Sequence, residues 1–311
     1  MDALQHRIIL VTRRTRLEDL VARLNTVEQA RFYVEHLGAD FSDYETEHAG
    51  YHQAVESAES TLRRYGRVQK LDRTLVPNFL FPPDCLVVAV GQDGLVANTL
   101  KYLNGQPVIG VNPDPGRWDG VLLPFAVVDL KKIVPEAQAG KRPTRSVTMA
   151  RVTLSDGQEL HAVNDLFIGP RSHVSARYTI ELDEQRETHS SSGIIVSTGM
   201  GSTGWFRSLL TGAVAMAGPA SSEELKALQQ AGFPWESEHL YFTVREPFPS
   251  RSSQTGLVFG RIERGQFLRL TSAMPDYGVI FSDGVESDFL EFNAGIRAEI
   301  GESARRGTLI Q

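Results

Sequence analysis

Short apolar runs bounded by turn residues dominate the first part of the chain. The runs at 7–12, Cys85–Val90 and Pro107–Val111 are rich in β-branched residues. Runs of this kind are typical of strands that are buried on both faces of a parallel sheet. Helical spacing of apolar residues follows at 17–37 and again at 95–104. Because strand, loop, helix and strand succeed one another, we predict a βαβ unit with a right-handed crossover.

The spacing of apolar residues changes to a period of two after about residue 125. Residues 147–154, the turn Ser155–Gly157 and a return strand predict a hairpin. A helix is predicted at Ser202–Gly218 and a shorter one at Ser222–Ala231. Further strands are predicted at 193–198, 239–245, 255–260, 267–272, 278–283 and 288–292.

These two patterns predict two domains. Residues 1–125 would form an α/β domain, and the tail 295–311 is a candidate to complete it. Residues 126–294 would form a β-rich domain of the sandwich type.

Composition excludes several classes of protein. With 311 residues, 41% hydrophobic and 23% charged, the chain resembles an ordinary globular protein. A net charge of -6 argues against nucleic-acid binding through bulk electrostatics. We expect no membrane span, no targeting segment and a cytoplasmic location. The single Cys85 excludes an internal disulfide, and we predict no zinc site among the eight histidines.

The loop Gly91-Gln92-Asp93-Gly94 is the first candidate for chemistry. It follows a predicted strand and opens a predicted helix, where glycines and the helix N-terminus favour an anion such as phosphate. A carboxylate there would hold Mg²⁺ or accept a proton from an attacking hydroxyl. The competing interpretation makes Asp93 an ordinary helix cap. Asn112 ends the next parallel strand, at the edge where ligands of open α/β sheets bind.

Two further polar segments lie in the β-rich part. Asn164-Asp165 follows the return strand and pairs an amide with a carboxylate, which can read ribose hydroxyls or can simply form a turn. Residues 193–205 place a loop rich in glycine and hydroxyl groups after an apolar strand, as phosphate-binding loops do. Its candidate contacts are Ser197, Thr198, Gly201, Ser202, Thr203 and Trp205.

Together and in this order, these segments resemble the NAD kinase family, and more narrowly its mitochondrial-type branch. That family carries a Gly-Gly-Asp-Gly-Thr loop, an Asn-Glu pair and a hydroxyl-rich glycine loop. The resemblance spans nearly the whole chain. Besides the loops above, it is carried by 12–18, 108–115, 191–193, 197–202, 244–247, 283–284 and 291–293.

The resemblance implies an NAD kinase-like fold, in which a Rossmann-like or phosphofructokinase-like parallel sheet precedes a sandwich-like domain and the active site lies between them. It implies a transferase of NADP biosynthesis that moves the ATP γ-phosphoryl to the adenosine ribose 2′-hydroxyl of NAD, with Mg²⁺ accompanying ATP, in a homodimer. Asp93 would be catalytic. The nucleotide contacts would be Gly91, Gly94, Asn112, Asn164, Asp165, Arg177, Ser197, Thr198, Gly201, Ser202, Thr203 and Trp205.

Two alternatives stay open. Gln92 and Leu95 replace the second glycine and the threonine of the family's Asp loop, which would suit a weakened homologue that binds a nucleotide and regulates. A kinase of the same fold could instead act on another hydroxyl acceptor. The sequence also leaves open whether ATP or polyphosphate is the donor and whether NADH is accepted.

Overall fold

The computed structural model describes residues 6–311, which divide into two compact units. The first unit contains the chain up to Arg145 together with Thr308–Gln311, and the second contains Ser146–Gly307. The predicted domain boundary lay earlier, at 125–126. The difference arises because the helix after it packs its apolar face, with Leu130 and Val134, into the core of the first unit.

A parallel sheet forms the centre of the first unit. Its strands run in the order β2, β1, β3, β4, and β4 also pairs in parallel with β5 and with residues 308–309 at the end of β17. The predicted parallel sheet is therefore confirmed. The strands are β1 (Arg7–Thr12), β2 (Arg67–Asp72), β3 (Leu86–Val90), β4 (Pro107–Asn112) and β5 (Phe125–Ala126).

Helices surround this sheet, and their ends follow from local sequence. The helices are α1 (Arg16–Leu24), α2 (Val27–His36), α3 (Phe41–Leu62), α4 (Asp93–Leu100) and α5 (Leu130–Gln138). The segment with helical spacing at 17–37 forms two helices, because Asn25 adopts φ 71° and Thr26 then caps a new helix. None of the helices among residues 6–311 is long and apolar enough to cross a membrane.

Two antiparallel sheets form the second unit. One has the order β13, β12, β11, β8, β15, β16, and the other has the order β10, β9, β14, β17, with β6 and β7 beside β17. Both sheets turn apolar side chains to a shared core, so the predicted sandwich is confirmed. The strands are β6 (Thr144–Leu154), β7 (Glu159–Ala162), β8 (Asp165–Pro170), β9 (Ala176–Leu182), β10 (Gln185–Ser191), β11 (Ile194–Ser197), β12 (His239–Val244), β13 (Phe259–Glu263), β14 (Leu268–Ser272), β15 (Gly278–Ser282), β16 (Val285–Glu291) and β17 (Arg297–Ile310).

Two helices, α6 (Trp205–Ala217) and α7 (Glu223–Ala231), interrupt the strands of the second unit. They lie near their predicted positions. Phe206 and Leu210 of α6 are buried with Leu228 of α7 and Tyr241 of β12, so both helices cover one face of the six-stranded sheet. The opposite face of that sheet belongs to the sandwich core.

Candidate functional site

The loop after β3 holds Asp93 at the carboxyl edge of the parallel sheet. Gly91 donates its main-chain N–H to the carbonyl of Val111 over 3.1 Å, which ties the loop to β4. Asp93 is half-buried; its Oδ1 accepts the N–H of Leu122 at 2.7 Å and its Oδ2 accepts that of Val121 at 3.2 Å. The predicted catalytic carboxylate thus anchors a neighbouring loop. Each oxygen still has lone-pair capacity for a ligand, because a carboxylate offers about four acceptor positions.

The two unusual residues of this loop fit their positions without strain. Gln92 has φ -122° and ψ 164°, an extended conformation that any residue adopts. Leu95 is 2% exposed and fills the core of the first unit. A Cβ added at Gly91 would lie 2.8 Å from Leu95 Cδ2, whereas one added at Gly94 would meet nothing within 4 Å. The exposed Gly94 therefore leaves the start of α4 open to approach.

Asn112 is buried at the end of β4 and is used by its own loop. Its Nδ2 donates to the carbonyl of Trp118 at 2.8 Å, and its Oδ1 accepts the N–H of Asp114 at 3.0 Å. These two bonds close the loop that follows the strand. Because both polar atoms of its side chain bond within the loop, we propose that Asn112 contributes to ligand binding by fixing the shape of that loop.

Arg13 lies beside this edge and forms an ion pair with a carboxylate of the first unit. Its guanidinium pairs with Glu47 at 2.7 Å, where both side chains are nearly buried, and lies 4.7 Å from the ring centre of Tyr51. The Tyr51 hydroxyl accepts the N–H of Arg13 and donates to the carbonyl of Val90 at 2.9 Å. Burial raises the pKa of Tyr51 to about 12, so it stays a hydrogen-bonding phenol. This group braces β1 and β3 where the Asp93 loop begins.

In the second unit, Thr198 joins the two predicted polar segments. Its buried hydroxyl donates to the carbonyl of Val163, and its main-chain N–H donates to the carbonyl of Asn164 at 2.9 Å. The same hydroxyl oxygen accepts the N–H of Gly201 at 3.2 Å. A Cβ added at Gly201 would lie 2.0 Å from the Asn164 carbonyl oxygen, so only glycine allows this approach.

A third segment, absent from the predicted site, completes the cluster. Asp283 lies in the turn between β15 and β16 with φ 54°, and its carboxylate accepts the main-chain N–H groups of Val163, Asn164 and Asp165. The shortest of these bonds, from Asn164, measures 2.6 Å. The Asp-Gly turn was the available signal in the sequence. The bonds join residues 118 to 120 positions apart, which no local pattern reports.

The main chain of Asn164 and Asp165 is fixed by these hydrogen bonds, whereas, in the described part of the chain, their side chains are not engaged in any. Asn164 is half-buried and Asp165 is 7% exposed. Within residues 6–311, no side-chain hydrogen bond of either residue is found. Burial, and then the nearby Asp283 carboxylate, raises the pKa of Asp165 to about 7. A carboxyl group that titrates near neutrality can both donate and accept hydrogen bonds.

The remaining loop residues serve different purposes. The buried hydroxyl of Ser202 donates to the carbonyl of Gly199 at 2.6 Å and accepts the N–H of Phe233 at 3.1 Å. Ser197 donates its hydroxyl to a neighbouring carbonyl. Thr203 is exposed. Most hydroxyl groups of the loop therefore shape it, and Thr203 is available to a ligand.

Trp205 lies beside this cluster in an aromatic and cationic pocket. Its ring stacks on Phe167 at a centroid distance of 5.7 Å and an angle of 9°, and the Arg245 guanidinium lies 5.3 Å from it. Phe281 also stacks on Phe167, at a centroid distance of 4.8 Å. Asp165 and Phe167 lie on the same face of β8, because Leu166 between them points into the sandwich core. The cavity measures about 220 Å³.

Arg177 is separated from this cluster. It is exposed on β9, between Ala176 and Tyr178, which point into the sandwich core. The Arg177 side chain therefore points away from the sandwich core, on the outer face of the sheet that contains β9. The Asp165 side chain also points away from the core, but on the outer face of the six-stranded sheet. The second unit alone does not bring Arg177 and Asp165 together.

The chain resembles known proteins in sequence and in fold. No protein-family model matches it. NAD kinase 2 of Geobacillus kaustophilus (strain HTA426) is 28% identical over 130 residues, which are 40% of this chain and 47% of that protein. The chain thus matches about half the length of this curated relative.

Two solved structures share the fold. An NAD kinase from Archaeoglobus fulgidus in complex with ATP has a TM-score of 0.56 and 17% identity, over 98% of this chain and 93% of its own. Yeast NADH kinase complexed with NADH has a TM-score of 0.56 and 14% identity, over 98% of this chain and 83% of its own. The predicted NAD kinase-like fold is therefore confirmed, and these similarities support the NAD kinase family.

Proposed function

We propose that this chain, which has the fold of the NAD kinases, phosphorylates NAD at the 2′-hydroxyl of its adenosine ribose and so makes NADP. ATP is the proposed donor. The proposal rests on the resemblance of the ordered motifs, and the similar structures are those of an NAD kinase with ATP and an NADH kinase with NADH. We extend the proposal to the mitochondrial-type branch, a homodimer and a cytoplasmic location, which rest on the sequence.

One observation carries the dinucleotide part of the proposal. Thr198 and Asp283 fix the main chain of Asn164 and Asp165, yet both of those side chains are left for another partner. Because burying polar groups without partners is costly, fixed but unused groups are typical of a binding site. An amide beside a carboxyl that titrates near pH 7 suits ribose hydroxyls and the edge of a base.

The neighbouring aromatic pocket would take a flat ring of the dinucleotide. Trp205 and Phe167 offer stacked faces, and the Arg245 guanidinium adds a positive charge beside them. Stacking on an aromatic ring contributes about 1–3 kcal/mol per base in single-strand nucleic-acid complexes, which sets the scale here. The pocket's 220 Å³ is small for a whole nucleotide and sufficient for part of a ring.

Asp93 is the proposed catalytic residue. Its carboxylate, fixed by the N–H groups of Val121 and Leu122, would accept a hydrogen bond from the attacking 2′-hydroxyl and orient it. Positioning and charge stabilisation account for most of the acceleration in phosphoryl transfer. Mg²⁺ bound to ATP would offset phosphate charge, and the Asp93 oxygens, each with unused acceptor capacity, are chemically suited to its oxygen-ligand shell.

The weakened-homologue alternative is less favoured than the sequence suggested. Gln92 is extended and unstrained, so its side chain does not distort the loop. Leu95 points into the core and Gly94 stays open, so the replaced threonine does not close the approach to the helix start.

The test is to incubate the purified chain with NAD, ATP and Mg²⁺ and to identify the product by ³¹P NMR as the 2′-phosphate. Parallel reactions with NADH, or with polyphosphate in place of ATP, decide the acceptor and the donor. Measurable NAD binding with no phosphorylation of NAD or NADH by either donor would favour the regulatory alternative.

A further inference from the structure

Two helices of the first unit bring a carboxylate and two imidazoles together, in a cluster that shares no residue with the Asp93 loop. Glu18 belongs to α1, while His48 and His52 belong to α3. One oxygen of Glu18 and one nitrogen of each ring all lie within 4.8 Å of one another. The histidines are four residues apart and therefore share a helix face. The prediction of no zinc site did not take this His-x-x-x-His spacing into account.

Neighbouring groups orient these three side chains. The buried Thr15 hydroxyl lies 2.9 Å from Nδ1 of His48, and Glu18 Oε1 lies 3.1 Å from Nε2 of His52. Glu18 Oε2 accepts the N–H of Thr15 at 2.7 Å in a capping box, so the carboxylate is anchored on one side and presents its other oxygen to the rings.

The Thr15 contact gives His48 the arrangement that metal-ligating histidines have. If Nδ1 carries the ring proton and donates it to Thr15 Oγ1, Nε2 keeps its lone pair for a cation. Thr15 Oγ1 already accepts the N–H of Glu18 at 3.2 Å, and a hydroxyl oxygen has a second lone pair for this bond. Such outer hydrogen bonds fix the tautomer and orientation of a histidine ligand.

The charge of Glu18 favours a cation. Glu18 is an anionic oxygen ligand, and its Oε1 is the oxygen that faces the rings, 3.1 Å from Nε2 of His52. The nearby Arg13 is already paired with Glu47, which reduces its repulsion of a metal ion.

The competing explanation is that these bonds only clamp α1 to α3. Geometry favours a metal ion as well, because ligands of tetrahedral zinc at about 2.0–2.2 Å from the ion lie roughly 3.3 Å apart. The His52 and Glu18 atoms already meet this distance at 3.1 Å. The His52 and Glu18 side chains are 46% and 35% exposed, so small rotations can bring all three atoms into position.

We propose that Glu18, His48 and His52 bind a divalent transition metal of the zinc class, with three protein ligands and one position left for water. A mixed imidazole and carboxylate set suits Zn²⁺ better than Mg²⁺. A cavity of about 290 Å³ lies beside Glu18 and His52, and Asp72, Arg14 and Lys70 also line it. None of these three residues has a part in the proposed NAD and ATP chemistry, so the metal proposal does not depend on it.

Direct titration tests the site. The full chain, freed of any affinity tag and stripped of metal, is titrated with Zn²⁺ against a chromophoric chelator and with Co²⁺, whose visible absorption reports imidazole and carboxylate ligation. We expect one ion per chain. We also expect the dissociation constant to rise by about 10-fold or more in His52→Ala and in Glu18→Gln, since loss of a ligand weakens binding at least as much as loss of an outer hydrogen bond.

The Glu18→Gln variant keeps a hydrogen-bond acceptor for the helix cap, so we expect it to fold as the wild type does. A loss of metal binding in this variant then reports the loss of a ligand. His173→Ala, an exposed histidine of the second unit, is the matched control and should leave binding unchanged. Bound Zn²⁺ should raise the Tm of the wild type and leave that of His52→Ala unchanged. No stoichiometric ion, or equal affinity in the wild type and both ligand variants, overturns the proposal.

Discussion

Replacing Asp165 by asparagine should stabilise the protein at alkaline pH and have little effect in acid. The side chain is nearly buried, and burial followed by the Asp283 charge raises its pKa from 3.8 to about 7. Ionised Asp165 is therefore unfavourable in the folded state. Asparagine keeps the shape of the side chain and removes the charge.

The magnitude follows from linkage. Between pH 3.8 and about 7 the folded chain keeps a proton on Asp165 that the unfolded chain has released, so this group's contribution lowers the free energy of unfolding as pH rises. Below this window both states are protonated and the contribution vanishes; above it the penalty is complete. A shift of about three units at about 1.4 kcal/mol each sets an upper value near 4 kcal/mol. Because the protein relaxes around the charged carboxylate, we expect the free energy of unfolding of Asp165→Asn to exceed that of the wild type by about 2–4 kcal/mol at pH 8.

Urea denaturation of the ligand-free protein at several pH values between 4 and 8 measures this effect. The Asp165→Asn variant should gain stability over the wild type progressively across that window. Asp276→Asn, the same chemical change at an exposed position, is the control and should give a small difference that varies little with pH. A constant difference between Asp165→Asn and the wild type at every pH, or a variant that is less stable at pH 8, would refute the reasoning.

Two further predictions concern the loop of the second unit. Gly201→Ala should weaken NAD binding by about 10-fold or more and lower the Tm, because the new Cβ would lie 2.0 Å from the Asn164 carbonyl oxygen. Calorimetry measures this against Gly212→Ala, an exposed helical glycine with nothing within 4 Å, and equal binding by the two variants would contradict the prediction. Thr198→Val should cost about 1–3 kcal/mol of unfolding free energy, because two carbonyls and one N–H lose their hydroxyl partner; urea denaturation that shows no loss would mean that these bonds are not stabilising.

The fold was largely predictable where strands are buried on both faces. β1, β3 and β4 are nearly continuous apolar runs, so their sequence alone marks them. β2 reads Arg-Val-Gln-Lys-Leu-Asp and lies at the edge of the sheet, mostly exposed, so its pattern carried no signal. β17 contains two glycines and three arginines, and only its antiparallel and parallel partners define it as a strand.

The candidate site was predictable as a set of segments and not as a set of contacts. The hydroxyl groups of Thr198 and Ser202 were expected to face a ligand, but they bind main-chain carbonyls. Asp283 was missed as a site residue because its partners lie more than a hundred positions earlier. Sequence patterns report local conformation and burial, whereas these hydrogen bonds depend on tertiary packing.

The most direct test of the account is the rate of NADP formation from NAD, ATP and Mg²⁺ by the wild type and by Asp93→Asn. We expect the wild type to form NADP and the variant to be slower by about 100-fold or more, the scale of general acid–base catalysis, while NAD binding is retained. Circular dichroism should show both proteins folded, because the variant keeps one oxygen for the loop that Asp93 anchors. A wild type that binds NAD and forms no NADP, or a variant as fast as the wild type, would contradict the account.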